Sequence, residues 1–203
     1  MTPTSRSLVQ LMFFRHGETA WSLTQRHTGR TDLPLTPHGE DQARALRPRV
    51  MASGLDRVFS SPRQRAIATC QLSGASEQPE IEPDAEEWDY GDYEGRHSQD
   101  IRRERPDWEI FRDGCPNGET PVQISARADR LIARFKTMTG NIGLFSHGQF
   151  GTVLAARWIG LAVKEARHFI LDPACASVFG FNPDHLDTSV IALLNSSPDC
   201  ARL

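Results

Sequence analysis

Two short apolar runs in this chain are each followed within two residues by a histidine. The first, residues 8–14 ("LVQLMFF"), leads into Arg15 and His16, and the second, residues 141–146 ("NIGLFS"), leads into His147. A glycine comes directly after each histidine. A short, nearly unbroken apolar run that ends at a glycine is typical of a strand at the centre of a parallel sheet. Each histidine is therefore expected just past the carboxyl end of such a strand.

Helix and strand patterns alternate along the rest of the chain. A helix is predicted with Thr36 as N-cap, Pro37 in its first position and an apolar face that continues through Leu46 and Val50. Apolar residues at helical spacing predict a further helix on Ile124, Ala128, Leu131, Ile132 and Phe135. The remaining predicted elements are a strand over 56–61, a helix from Pro62, a helix over 150–161, and closing strands in "ASVFGFN" and "TSVIALLN" that form an antiparallel hairpin or edge pair.

This alternation predicts a three-layer α/β/α fold around a mainly parallel central sheet, with right-handed crossovers. Residues 1–203 are expected to form one domain, which suits their length. The polar stretch 76–121 is interpreted as an insertion that covers the ligand-binding edge of the sheet and carries a short helix near 98–105. In such folds ligands bind at the carboxyl ends of the strands. His16 and His147 are therefore expected to meet there.

Composition limits the classes of protein to which the chain can belong. Hydrophobic residues make up 38% and charged residues 24%, as in soluble globular proteins, and no apolar run is long enough to span a membrane. The net charge of −3 gives no general attraction to nucleic acid or to an anionic membrane surface. The first ten residues lack the apolar core of a signal peptide, which favours a cytoplasmic location. The widely spaced cysteines (Cys70, Cys115, Cys175 and Cys200) favour neither disulfides nor a thiolate metal site.

The predicted rim of the sheet collects groups that suit a phosphate ester. Arg15, Arg65 and helix N-termini offer donors for a doubly charged oxyanion. A neutral imidazole can attack phosphorus near pH 7. A carboxyl group is then needed to protonate the leaving oxygen, and Glu87 stands among several acids, Glu86 and Asp89 included, that spacing alone does not separate.

Other interpretations of these and nearby residues have less support from the sequence. Arg63 competes with Arg65 as the phosphate-binding arginine. A metal site is disfavoured by the neighbouring arginines and by the lack of a HExxH or paired-cysteine motif, so neither a metal nor another cofactor is predicted. Cys115 is interpreted as a loop thiol. Surface or turn positions are expected for the remaining histidines, His27, His38, His97, His168 and His185.

Five ordered blocks, "RHGET", "TGRTDLPLTPHGEDQA", "SSPRQRA", "EWDYGDYEG" and "FSHG", resemble the histidine phosphatase superfamily, which includes phosphoglycerate mutases and many acid phosphatases. The resemblance spans about residues 9–195. The blocks "EWDYGDYEG" and "FRDGCPNGET" are most similar to the branch with sedoheptulose-1,7-bisphosphatase and bacterial acid phosphatases.

The resemblance implies roles for individual residues. By position, His16 is the histidine that becomes phosphorylated, Glu87 the proton donor, and His147 a phosphate ligand and transition-state donor. The resemblance also assigns Arg15, Arg65, Thr28 and Gly29 to phosphate or substrate binding, and Tyr90 is expected to line the pocket because it lies close in sequence to Glu87. Ser22 departs from the family pattern, which has asparagine there in many relatives, and receives no role.

The resemblance predicts a metal-independent phosphomonoesterase that hydrolyses small phosphorylated metabolites, such as sugar phosphates or bisphosphates, through a phosphohistidine. The alternatives are a phosphoglycerate-mutase-type phosphotransferase and a non-catalytic domain that binds phosphorylated ligands. A homodimer is compatible with the family, and no nucleic-acid or membrane partner is expected.

Overall fold

The computed structural model describes residues 8–198. Most of the N-terminal segment used in the signal-peptide argument, residues 1–7, and Cys200 lie outside this range. The strands are β1 (Val9–Arg15), β2 (Arg57–Ser60), β3 (Glu80–Ile81), β4 (Gly140–Ser146), β5 (Ala176–Phe181) and β6 (Ser189–Ser196). The α-helices are α1 (Ala20–Leu23), α2 (Pro37–Ala45), α3 (Arg47–Ser53), α4 (Gln64–Leu72), α5 (Ser98–Glu104), α6 (Ile110–Asp113), α7 (Pro121–Lys136) and α8 (Gly148–Trp158). Short 3-10 helices cover Pro83–Ala85, Gly91–Tyr93 and Val163–His168.

The strands form one mixed sheet in the order β3-β2-β4-β1-β5-β6. Strands β1 to β4 pair in parallel, whereas β5 runs antiparallel to both β1 and β6. The fold is therefore the expected α/β class with a mainly parallel sheet, and β5 and β6 form the expected antiparallel pair at one edge. The chain 76–121 departs in one respect from a pure covering segment, because β3 within it extends the sheet beside β2.

Successive side chains of the central strands belong alternately to two apolar clusters, one on each face of the sheet. Phe13 belongs to the larger cluster, which includes the buried residues of α7 and α8, whereas Phe14 packs with Leu46, Val50 and Phe145 in the smaller one. This alternation follows from the two-residue period of a strand. The buried residues of α7 are those predicted from periodicity, namely Ile124, Ala128, Leu131, Ile132 and Phe135.

One predicted helix is wrong as a single element. The helix from Pro37, capped by the Thr36 side chain as expected, ends at Ala45, and α3 begins after Leu46. Pro48 has no N–H to donate to the carbonyl four residues earlier, and its ring is disfavoured inside a helix, so the chain restarts with the proline in the first turn of α3. The predicted apolar residues still face the core, since Leu46, between the two helices, and Val50, in α3, are both buried.

No helix within residues 8–198 is both long enough and apolar enough to cross a membrane.

Candidate active site

The ends of two adjacent parallel strands bring the two motif histidines together. In the β1–β4 register Arg15 lies beside Ser146, and the His16 N–H donates to the Ser146 carbonyl at 2.9 Å. The ring centroids of His16 and His147 are 5.2 Å apart. Both side chains are buried, His147 completely. The meeting of two sequence-distant histidines at one edge of the sheet thus follows from strand pairing.

Hydrogen bonding fixes which nitrogen of His16 is free. Its Nδ1 lies 2.7 Å from the Gly17 carbonyl, which can only accept, so Nδ1 carries the proton. The Nε2 atom has no hydrogen-bond partner within residues 8–198. Burial, together with the cations Arg65 and Arg15, lowers the pKa of His16 well below its ordinary value. The ring is therefore neutral near pH 7, with its lone pair on Nε2.

His147 is held in the opposite tautomer. The Nε of Arg65 donates to its Nδ1 at 3.1 Å, and because arginine cannot accept, the proton of a neutral ring must lie on Nε2. That Nε2 lies 2.7 Å from the Ser61 hydroxyl. Burial and the Arg65 guanidinium lower the pKa of His147 well below its ordinary value. His147 thus donates its Nε2–H to the Ser61 hydroxyl, and its ring lies beside that of His16.

Arg65 is fully buried behind His147 and does not line the cavity beside His16. Its Nη groups donate to the carbonyls of Thr28, Gly29 and Thr31 at 3.0–3.2 Å. Its direct contact with phosphate stays a prediction; the contacts present act on His147 and on the loop 28–31. The Glu94 carboxylate holds the same loop through the N–H groups of Gly29 and Thr31.

The carboxylate of Glu87 lies at the N-terminus of α8. It accepts hydrogen bonds from the backbone N–H groups of Trp88, Gln149 and Phe150 at 2.7–3.0 Å. Burial raises the pKa of Glu87, and these three N–H groups oppose part of that rise. A buried carboxyl group with a raised pKa is suited to donate a proton. The neighbouring acids have other partners, since Glu86 pairs with Arg63 and Asp89 with Arg30.

Arg15 supplies the cation nearest in sequence to His16. One Nη group donates to the Leu171 carbonyl, and its Nε is buried without a hydrogen-bond partner among the residues described. A side chain at Gly148 would place Cβ 3.2 Å from the guanidinium, so the glycine there leaves room for Arg15. An unpaired buried donor is costly, and an oxyanion at this position would satisfy it.

A cavity of about 510 Å³ opens above these groups. Of the predicted site residues, Arg15, His16, Thr28, Glu87 and Tyr90 line it, whereas Arg65, His147 and Gly29 lie behind its wall. The other lining residues are Ser22, Gln25, Arg26, His27, Ser98, Gly148, Gln149, Thr152, Phe169, Ile170, Leu171, Asp172 and Pro173. The segment 76–121 thus contributes Glu87, Tyr90 and Ser98 to the wall. No cluster of three or more His, Cys, Asp or Glu side chains in residues 8–198 is arranged to hold a metal ion.

One expectation about an individual residue is wrong. His27 lies in the cavity wall rather than on the surface, with its ring stacked on Tyr90 at 4.5 Å between centroids. Gly17, directly after His16, does not line the cavity; a Cβ there would lie 2.3 Å from the Gly39 carbonyl. Its small size serves the packing of the β1 end against α2.

Sequence reasoning missed several residues that support the site. Ser61 follows the strand β2 as His16 follows β1, so its position past a strand end could have marked it. Arg127, which donates to the backbone carbonyl of Glu87, gives no local signal in the sequence, because a charged residue on α7 looks like any other solvated position. Cys115 is a buried loop thiol, as interpreted, and burial raises its pKa to about 12.

A family model described as "Histidine phosphatase superfamily (branch 1)" matches residues 11–193, which include every group discussed above. The chain belongs to the histidine phosphatase superfamily. This match confirms the family membership that the ordered sequence blocks predicted.

Relatives of known name align with most of the length of this chain. An acid phosphatase of Mycobacterium tuberculosis is 37% identical over 91% of this chain and 92% of the relative. Sedoheptulose 1,7-bisphosphatase of Saccharomyces cerevisiae is 38% identical over 74% of this chain and 68% of the relative. These names support a phosphatase as the broad class of this enzyme.

Solved structures give the same picture of the fold. The structure of an open reading frame from Mycobacterium tuberculosis superposes with a TM-score of 0.87 at 34% identity, covering 93% of this chain and 98% of that one. An alpha-ribazole phosphatase from Shigella flexneri gives a TM-score of 0.79 at 30% identity, covering 92% and 96%. The architecture of this histidine phosphatase is therefore that of its relatives.

Proposed function

We propose that this histidine phosphatase is a metal-independent phosphomonoesterase that hydrolyses small phosphorylated metabolites through a phosphohistidine on His16. The observation that carries the proposal is the tautomer of His16: Nδ1 donates to the Gly17 carbonyl, which leaves an unpaired Nε2 on a residue that lines the cavity. Beside it, Arg15 has a buried Nε without a partner in residues 8–198. A nucleophile and an unsatisfied cationic donor together suit a phosphate ester.

The first step forms a bond between Nε2 of His16 and phosphorus and breaks the bond from phosphorus to the ester oxygen. Arg15 stabilises the charge on the peripheral oxygens, and the Nε2–H of His147, which donates to Ser61 in the free enzyme, turns to a phosphate oxygen when the substrate is bound. In its protonated form, which the raised pKa favours, Glu87 gives its proton to the leaving oxygen, and the product is an alcohol.

In the second step a water oxygen attacks the phosphorus of the phosphohistidine. The Glu87 carboxylate takes a proton from that water, the bond between Nε2 and phosphorus breaks, and inorganic phosphate leaves. Glu87 ends the cycle protonated and His16 ends it neutral, so protons balance. The cycle consumes water and uses no further reactant.

Hydrolysis in the absence of metal tests the proposal. With EDTA present, the wild-type enzyme should release phosphate from p-nitrophenyl phosphate and from a panel of sugar phosphates, and His16→Ala should lose about a thousandfold or more. His185→Ala, in an exposed turn, is the matched control. Equal turnover in His16→Ala contradicts the mechanism. Exchange of phosphate between 2- and 3-phosphoglycerate with little free phosphate would indicate a mutase, and binding without turnover a non-catalytic domain.

The outer part of the cavity supports a substrate with a second anionic group, such as a sugar bisphosphate. Arg26 lines the cavity, is exposed, and has no side-chain hydrogen bond or ion pair to residues 8–198. Four arginines of the segment 76–121 are engaged elsewhere: Arg96, Arg103 and Arg112 form ion pairs, and Arg102 donates to a carbonyl. Arg26 is therefore the better candidate.

A pair of substrates that differ by one phosphate tests the role of Arg26. Arg26→Gln is expected to lower kcat/KM for fructose 1,6-bisphosphate roughly fivefold relative to fructose 1-phosphate, as suits one partly solvated charge pair. Arg30→Gln is the matched control, since Arg30 lies on the same loop but pairs with Asp89 and does not line the cavity. If Arg26→Gln leaves the ratio of kcat/KM for the two substrates unchanged, the proposal that the cavity binds a second anionic group is wrong.

A further inference from the structure

Arg127, on α7, reaches beneath the segment that carries Glu87. Its Nη1 group donates to the carbonyls of Asp84 and Glu86 at 2.7 and 2.9 Å, and its Nη2 group donates to the carbonyl of Glu87 itself at 3.3 Å. One guanidinium thus holds three backbone carbonyls within four consecutive residues. The contact fixes the backbone from which the Glu87 side chain extends.

The remaining N–H groups of Arg127 bind the carboxylate of Glu119, with Nε and Nη2 each at 2.8 Å from one oxygen. All five N–H groups of the guanidinium are therefore used. Glu119 in turn holds the other side of the Glu87 segment. It accepts from the Asp89 N–H through its carboxylate and from the Trp88 indole N–H through its carbonyl. The ion pair is largely buried, with Arg127 13% and Glu119 17% exposed.

The same guanidinium also touches the helix that binds the carboxylate. It lies 4.9 Å above the ring of Phe150, and the Phe150 N–H donates to the Glu87 carboxylate at 2.7 Å. Arg127 therefore contacts both the backbone that carries Glu87 and a residue that holds its carboxylate. Its neighbour Arg130 has a simpler role, since it makes only an exposed ion pair with the Asp84 side chain.

We infer that the Arg127–Glu119 pair is a positioning device that sets the Glu87 carboxyl group for proton transfer to the leaving oxygen. This inference rests on the proposed function, in which Glu87 is the general acid. Proton transfer requires hydrogen-bond distance between donor and leaving oxygen, and small displacements of a catalytic group are costly. Lysine cannot replace the arginine, because it has three N–H groups and no planar fork.

Two substrates of nearly equal size separate positioning from general damage. p-Nitrophenolate leaves without help from an acid, whereas the more basic oxygen of phenyl phosphate needs protonation. The value of kcat/KM reports only the steps up to the first irreversible one, so the hydrolysis of phosphohistidine does not interfere. Arg127→Lys is expected to lower kcat/KM for phenyl phosphate roughly tenfold or more, a part of the 10²–10⁴ that a positioned acid contributes, and to change p-nitrophenyl phosphate less than about threefold.

Arg130→Lys is the matched control, since it alters an ion pair on the same helix with the same segment. It should leave the ratio of the two substrates unchanged. If Arg127→Lys does not fold, as judged by its Tm, Glu119→Gln removes the charge of the partner and should shift the ratio in the same direction. An equal loss on both substrates in the folded variant overturns the inference. A wild-type enzyme without His16-dependent turnover of p-nitrophenyl phosphate would overturn the proposed function as well, and the His16→Ala assay identifies that case.

Discussion

At the scale of single residues, the positions of two protons determine what each active-site histidine can do. His16 and His147 have similar surroundings and both have a lowered pKa, yet the Gly17 carbonyl places the proton of His16 on Nδ1 and the Arg65 guanidinium places that of His147 on Nε2. The first ring is then a nucleophile and the second a donor. The difference comes from which backbone or side-chain group faces Nδ1, and not from the residue type.

Hydrogen bonding also determines what the two arginines, Arg65 and Arg15, can do. Burial and four hydrogen bonds tie its guanidinium to His147 and to three carbonyls of the loop 28–31. Arg15 has fewer bonds and keeps an unpaired Nε, so it is the cation prepared for an incoming anion. Both arginines belong to the sequence motifs, but they differ in which N–H groups remain free to donate.

At the scale of elements, His27 connects the loop after α1 to the segment 76–121. Its ring stacks on Tyr90, meets Trp108 edge-on at 5.7 Å between centroids, and lies 3.1 Å from the Ser98 hydroxyl. Burial, with the nearby His97 and Arg102, lowers the pKa of His27 to about 4. The contact therefore requires a neutral imidazole, and protonation should weaken it.

This contact makes stability depend on pH in one direction. Between the unfolded pKa of about 6.5 and the folded value of about 4, the unfolded chain binds a proton that the folded chain does not, so stability falls as pH falls. Lowering the pH from 7 to 5 is expected to reduce the free energy of unfolding by about 1 to 2 kcal/mol through His27. His27→Gln should remove that share of the loss, as measured by denaturant unfolding at both pH values.

His185→Gln is the control, because His185 is exposed in the turn between β5 and β6. It should show the same loss of unfolding free energy from pH 7 to pH 5 as the wild type. If His27→Gln and His185→Gln lose stability equally, the stacked ring does not carry the pH dependence described here.

The elements also show how far sequence reasoning reaches. Periodicity predicted the buried face of α7 residue by residue, because a helix that packs along one stripe must repeat its apolar residues at a fixed spacing. It did not predict the break between α2 and α3, where Pro48 overrides an apolar pattern that continues across it. Periodicity reports which face is buried, whereas the missing N–H of one residue determines where the helix stops.

At the scale of the whole molecule, strand order brings distant parts of the chain to one cavity. Adjacent parallel strands β1 and β4 carry the two histidines to the same edge, and this could be predicted from the repeated strand–histidine–glycine pattern. The carbonyl partners of Arg65 and Arg127 could not be predicted, because Gly29 and Glu87 reach them only through long-range packing of loops. The residue types of the site were visible in the sequence; most of its hydrogen bonds were not.

The central claim is that His16 carries the phosphoryl group during turnover. Rapid quenching of the enzyme with p-nitrophenyl phosphate, followed by peptide mass analysis under alkaline conditions, tests it directly, and Glu87→Gln should increase the trapped fraction because the second step loses its base. The expected result is one acid-labile phosphoryl group on the peptide that contains His16. A phosphoryl group on His147 or Ser61, or full turnover with no phosphorylated peptide at any quench time, would contradict the account.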